Sequence, residues 1–112
     1  MSEMDFTRFC LRHGFPTPIR QVVRRDAAGR RRYLDATLVG PTGVVVRVEI
    51  DGALHLVVQT YWDDMSRDND LAIDGELVLR LPSFVVHSDD AQAVDQLRRA
   101  LGMSGPRRQT AA

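Results

Sequence analysis

Apolar residues along the first stretch of the chain fall on one helical face. Phe6, Phe9, Cys10 and His13 follow the i, i+3, i+4, i+7 spacing, and Ser2 with Asp5 three residues on resembles a capping box. Gly14 ends this helix, and the run Phe15-Pro16-Thr17-Pro18 keeps the next segment extended. Ile19 to Asp26 and Arg30 to Val39 then read as strands around Ala27-Ala28-Gly29, and the turn Gly40 to Gly43 leads into a third strand, Val44 to Asp51. Tyr61 to Asp74 is helical in pattern, with Trp62, Met65 and Ala72 on one side and Asp64, Arg67, Asp68 and Leu71 on another. Glu76 to Pro82 alternates as a strand with Leu77, Leu79 and Leu81 facing one way, and Pro82 ends it. A last helix, capped by Ser88 or Asp89, buries Val94, Leu97 and Leu101 before Gly102. The fold class is α/β, in the order α-β-β-β-α-β-α, with helices packed on a central mixed sheet of about four strands. Residues 1–102 form one domain, and 103–112 a flexible tail.

The hairpin register brings two acids together. If Pro41-Thr42-Gly43 closes a three-residue loop, Gly40 faces Val44, Leu38 faces Val46 and Asp35 faces Glu49. Leu34, Ala36, Leu38, Val46, Val48 and Ile50 then make a wholly apolar face. The reverse face collects Tyr33, Asp35, Thr37, Arg47, Glu49 and Asp51. A slip of one residue would mix the two sets, so the apolar pattern supports this register without appeal to function. If Ala27-Ala28-Gly29 also closes a three-residue loop, Gln21 lies beside Asp35, where it either binds phosphate or water or satisfies the sheet edge.

Like charges placed opposite each other on neighbouring strands are destabilising, and a cation reverses the penalty. Mg²⁺ prefers hard oxygen ligands, commonly one or two carboxylates completed by water and substrate phosphate. Asp35, Glu49 and the backbone carbonyl of Ile50 are its candidate ligands, with Mn²⁺ as a substitute. A bound metal would acidify water and stabilise charge on a phosphoryl oxygen. The alternative is a solvated sheet face whose acids are balanced by Arg47 and other arginines.

Composition narrows the setting. The chain has 112 residues, 44% of them hydrophobic and 27% charged, with zero net charge, which suits a single soluble domain. No apolar run approaches the roughly 20 residues of a membrane span, and the N-terminus lacks a signal pattern, so no membrane association and a cytoplasmic location are expected. Charge is uneven: residues 1–34 hold eight arginines against three acids, and the remainder seven arginines against twelve acids. There is no lysine. Cys10 sits among core-facing positions and reads as packing, as does Trp62.

Taken together, Asp35, the run Glu49-Ile50-Asp51-Gly52-Ala53-Leu54-His55, the run Asp64-Met65-Ser66-Arg67-Asp68-Asn69-Asp70-Leu71 and Gly75-Glu76-Leu77-Val78-Leu79-Arg80 resemble the endonuclease-like domain family related to very-short-patch-repair endonucleases. That family lies within the restriction-endonuclease-like PD-(D/E)xK superfamily, and the resemblance runs from about Glu3 to Leu101. It implies a restriction-endonuclease-like fold and a Mg²⁺-dependent phosphodiester hydrolase acting on DNA, an endonuclease or nickase in repair or defence. Such a chain acts alone, as a homodimer or within a larger nuclease system. In that frame Asp35 and Glu49 bind metal and Glu3 completes the acidic cluster by holding a metal-bound water. Asp51 stands where the superfamily pattern has lysine, and His55 or Arg67 is the expected replacement. Arg30, Arg31 and Arg32 are the expected phosphate clamps, with Gln21 and Arg67 as further contacts to the nucleic acid. The rival from a different class is a catalytically silent module of the same fold that binds nucleic acid or a protein partner.

Overall fold

Ser2 and Asp5 cap the first helix, α1 (Glu3–Arg12), as their spacing predicts. The Ser2 hydroxyl accepts from the Asp5 backbone N–H at 3.0 Å, and the Asp5 carboxylate accepts from the Ser2 N–H at 3.1 Å. Gly14, at φ +73°, closes the helix in the left-handed region that favours glycine. The computed structural model of the protein describes residues 1–25, 32–52, 58–73 and 78–103, with backbone alone for 58–61 and 71–73. Beyond α1 the elements are β1 (Arg20–Arg25), β2 (Arg32–Val39), β3 (Val45–Asp51), α2 (Val58–Ile73), β4 (Val78–Pro82), α3 (Ser83–His87) and α4 (Ala91–Ala100).

The four strands lie in the order β1-β2-β3-β4. β1 and β3 are antiparallel to β2, and β4 runs parallel to β3 after the crossover through α2. The β2–β3 hairpin takes the expected register, Asp35 opposite Glu49 and Leu38 opposite Val46. Its turn is closed by Gly40 N–H to Val44 C=O at 2.7 Å and Gly43 N–H to Gly40 C=O at 2.9 Å, with Gly43 at φ +91°.

β1 departs from expectation. A three-residue loop at 27–29 would set Gln21 against Asp35, whereas Gln21 pairs with Ala36 and Val22 with Asp35. The last described pair is Arg25 with Arg32. One residue of slip exchanges the faces of a strand. Gln21 therefore turns to the helical side, where its amide donates to the Thr7 hydroxyl at 2.8 Å, and Arg24 turns to the acid side.

All six hairpin residues expected in the core are buried there with Leu79 and Leu81. The covering layer supplies Phe6, Phe9, Cys10, Phe15, Trp62, Val85, Val86, Ala93, Leu97 and Leu101 to the same cluster. Cys10 is fully buried, and burial pushes its thiol pKa up to about 12, so it packs as a small apolar group. Leu77, expected in this row, lies outside the described residues.

Two features of the cover were not anticipated. The short α3 follows β4 directly, and the cap of α4 is Asp90, not Ser88 or Asp89. Asp89 is unavailable for capping because its carboxylate meets Arg12 Nη2 at 3.0 Å and His13 Nε2 at 2.7 Å, tying α1 to the α3–α4 turn. The His13 and then the Arg12 hydrogen bonds hold the Asp89 carboxyl below its ordinary pKa. Asn69, on α2, seals the β4 edge: its amide donates to the Arg80 carbonyl and accepts from the Arg80 N–H, each at 2.8 Å. It also donates to Gln96 Oε1 at 3.0 Å, and Gln96 in turn donates to the Ser66 hydroxyl at 2.8 Å. This buried polar chain locks α2, α4 and β4 together.

Candidate functional site

The face of the sheet turned away from the helices carries the charges. Pairing arranges its side chains in rows across the strands. One row is Val22, Asp35, Glu49 and Arg80, flanked by Arg20, Thr37, Arg47 and Val78 on one side and Arg24, Tyr33, Asp51 and Pro82 on the other. Hydrogen bonds at both ends of the hairpin ladder, Gly40 N–H to Val44 C=O and Gly52 N–H to Arg32 C=O, mark the narrow pairs. Counting inward, Asp35 and Glu49 form a non-hydrogen-bonded pair, in which Cα atoms approach to about 4.5 Å and side chains come closest. The two carboxylates are thus held side by side by the backbone itself.

Arg24 answers the repulsion. Its Nε donates to Asp35 Oδ2 and its Nη2 to Glu49 Oε2, both at 2.7 Å, while the guanidinium lies 4.3 Å over the Tyr33 ring. The Asp35 hydrogen bond, with the charges of both carboxylates, holds Arg24 above its ordinary pKa. Arg80 approaches the other Glu49 oxygen at 3.6 Å. Asp35 Oδ1 is buried without a hydrogen-bond partner among the described residues. The carboxylates open onto a concavity of about 410 Å³ lined by Arg20, Val22, Thr37, Arg47 and Val78 together with the acid pair.

The remaining expected site residues are distributed as follows. Asp51 shares the face with Glu49 and is buried at the end of β3, opposite Tyr33. Ile50 is paired on both sides, with Leu34 and Leu81, so its carbonyl lies within the ladder rather than above the open face. Glu3 stays exposed in the first turn of α1, and no three His, Cys, Asp or Glu side chains cluster as metal ligands among the described residues. Gln21 is on the helical side of the sheet. Arg32 donates to the Met1 carbonyl, and Arg67 pairs with Asp64 at 3.3 Å on the outside of α2. His55, Arg30 and Arg31 lie outside the described residues.

Sequence reasoning missed Arg24, the group closest to the acids. Its signal was weak, because Arg20–Arg25 is exposed or half-exposed throughout and its adjacent valines, Val22 and Val23, do not alternate. Arg80 was legible in principle: a parallel β4 pairing through Ile50 and Leu81 places it beside Glu49.

The pair fits a two-carboxylate Mg²⁺ site in its hard oxygen donors and in the orphaned Asp35 Oδ1. Arg24 holds one oxygen of each acid, so a Mg²⁺ ion held by Asp35 and Glu49 would supply the charge that Arg24 now supplies. No helix among the described residues is long and apolar enough to cross a membrane. No protein-family model matches the chain, nor does any curated protein or solved structure.

Proposed function

We propose that the chain is a Mg²⁺-dependent DNA endonuclease or nickase of the restriction-endonuclease-like superfamily, with Asp35 and Glu49 as its metal-holding residues. The observation that carries this reading is the backbone-enforced Asp35–Glu49 pair opening onto an arginine-lined concavity, with Asp35 Oδ1 left without a partner among the described residues. Two anionic side chains beside several arginines suit a substrate that is itself anionic and must be cut next to a cation. Metal bound there would supply an acidified water and charge neutralisation at the phosphoryl oxygen. Arg24 and Arg80 are the cations nearest Glu49, and once Arg24 leaves the carboxylates it can donate to the phosphate. Glu3 and His55 remain candidates through the family resemblance, and Asp51, which departs from the superfamily pattern, through its place beside Glu49 on the same face; the Ile50 carbonyl lies within the ladder. The test is plasmid nicking with Mg²⁺ or Mn²⁺. Wild type nicks and Glu49→Ala does not; an identical absence of nicking in both, across metals and substrates, ends the proposal.

A second reading has its own support. The Arg24 bridge neutralises the acid pair internally through one oxygen of each carboxylate, as a silent nuclease-fold module that binds nucleic acid or a protein partner would require. That reading expects nucleic-acid binding without divalent ions and unchanged in Asp35→Ala, whereas metal-dependent binding lost in that variant excludes it.

A further inference from the structure

The row flanking the acids is cationic and unspent. Arg20 pairs across β1–β2 with Thr37, and Thr37 pairs across β2–β3 with Arg47, so a hydroxyl lies between two guanidinium-bearing side chains on the same face. All three line the concavity that also holds Asp35 and Glu49. The other arginines of this face are engaged, Arg24 with Asp35 and Glu49, and Arg80 with Glu49. Neither Arg20 nor Arg47 has a carboxylate partner among the described residues. Two exposed arginines in one row on either side of Thr37, without a counter-anion among the described residues, form a site whose missing component is an anion.

We infer that Arg20, Thr37 and Arg47 form a subsite for a backbone phosphate of a nucleic-acid strand. It binds that strand one or two phosphates away from the one lying at Asp35 and Glu49. Rows two residues apart along a strand are separated by about 6.6 Å, from a rise of about 3.3 Å per residue. A nucleic-acid strand advances about 3.4 Å per phosphate along a duplex axis, so one strand crossing the rows can occupy both. The arginines supply forked donors for phosphate oxygens and the threonine a hydroxyl donor between them. Val22 and Val78 flank the acid row and the cationic row with apolar side chains against which sugar can rest. The position of the scissile phosphate rests on the hydrolase reading; the phosphate subsite itself does not.

Fluorescence anisotropy of a labelled oligonucleotide, titrated in EDTA with the full chain, tests the subsite without cleavage. Arg20→Ala/Arg47→Ala is compared with Arg8→Ala/Arg99→Ala, which removes the same charge from the helical layer, and melting curves confirm that both variants fold. The expected result is a loss of about tenfold or more in affinity for the first variant at 0.1 M salt, with the slope of log affinity on log salt shallower by about 1.5, as loss of two phosphate contacts requires. The helical-layer control stays within about threefold of wild type. If the two variants weaken binding equally, or wild type does not bind, the subsite is overturned. Nicking by the same proteins separates the two claims. Wild type that binds through this row but never cuts sinks the hydrolase reading and leaves the subsite, whereas cutting unaltered in Arg20→Ala/Arg47→Ala sinks the subsite and leaves the hydrolase.

Discussion

The two faces of one sheet obey different physics. On the covered face Leu34, Ala36, Leu38, Val46, Val48, Ile50, Leu79 and Leu81 meet the helices in a dry cluster, and each is at most 2% exposed. On the open face Arg24 bridges two acids at 2.7 Å in side chains that are 30–42% exposed, and two further arginines have no described partner at all. Area removed from water stabilises the first face, and no element among the described helices shields the second. Stability is therefore concentrated on one side, leaving the other free to carry charges that a folding requirement alone would not select. The same strands serve both, because alternate residues of β2 and β3 point opposite ways.

The largest difference between the faces should appear on truncating one side chain from each. Leu79→Ala removes a fully buried side chain of β4 and is expected to destabilise by about 2–5 kcal/mol, while Thr37→Ala on the open face stays within roughly 0.5 kcal/mol. Urea unfolding with unchanged m-values measures both. Equal losses would mean that the open face is covered by something that seals it as the helices seal the other.

A smaller effect is expected where the cover meets the sheet edge. Asn69→Leu keeps the volume on α2 but strips both partners from the Arg80 backbone and leaves Gln96 Oε1 without its donor. Unpaired buried polar groups make this a loss of about 1–3 kcal/mol. Hydrogen exchange should localise it, with the Arg80 amide losing protection while the β2–β3 ladder keeps its own. Retained protection at Arg80 would show that the edge is held by packing rather than by the amide.

How much of this was readable beforehand follows the same division. The covered face was legible because its signal is redundant: six hairpin residues alternate in phase, and only one register buries them all. The acid pair came with that register, since Asp35 and Glu49 occupy the reverse positions of the same ladder. β1 was not legible. Arg-Gln-Val-Val-Arg-Arg contains no alternation, so neither face was favoured by burial, and the choice fell to Gln21 reaching Thr7 and Arg24 reaching the acids. Those are contacts between segments distant in the chain, which local pattern does not encode. The short α3 escaped for a similar reason, because Ser83–His87 is too brief to display a helical period and is shaped by its packing on β4. Asp89 was misassigned as a possible cap because its residue type suits one, while its partners lie on α1.

Arg24→Ala sharpens the comparison most, although its effect on stability is the smallest. The bridge is half-exposed, so its removal should lower stability by no more than about 1 kcal/mol. What changes is the sign of the salt response. In wild type the nearest charges to Asp35 and Glu49 are favourable, from Arg24 and Arg80, and added NaCl screens an attraction. In the variant the closest interaction of Asp35 is with Glu49, held beside it by the non-hydrogen-bonded pair, and the same salt screens a repulsion. Thermal melts in EDTA from 20 mM to 300 mM NaCl should therefore fall slightly for wild type and rise for Arg24→Ala. Magnesium, by binding the native pair, should raise the melting temperature of both proteins, and in the variant at far lower concentration than NaCl does. Without the guanidinium the carboxylates no longer exchange one cation for another, so the midpoint of the Mg²⁺-induced thermal shift moves to lower metal for the variant than for wild type. A variant that responds to NaCl as wild type does, and to Mg²⁺ no more strongly, would show that Asp35 and Glu49 do not act as a pair. The open face would then be a solvated surface of scattered charges.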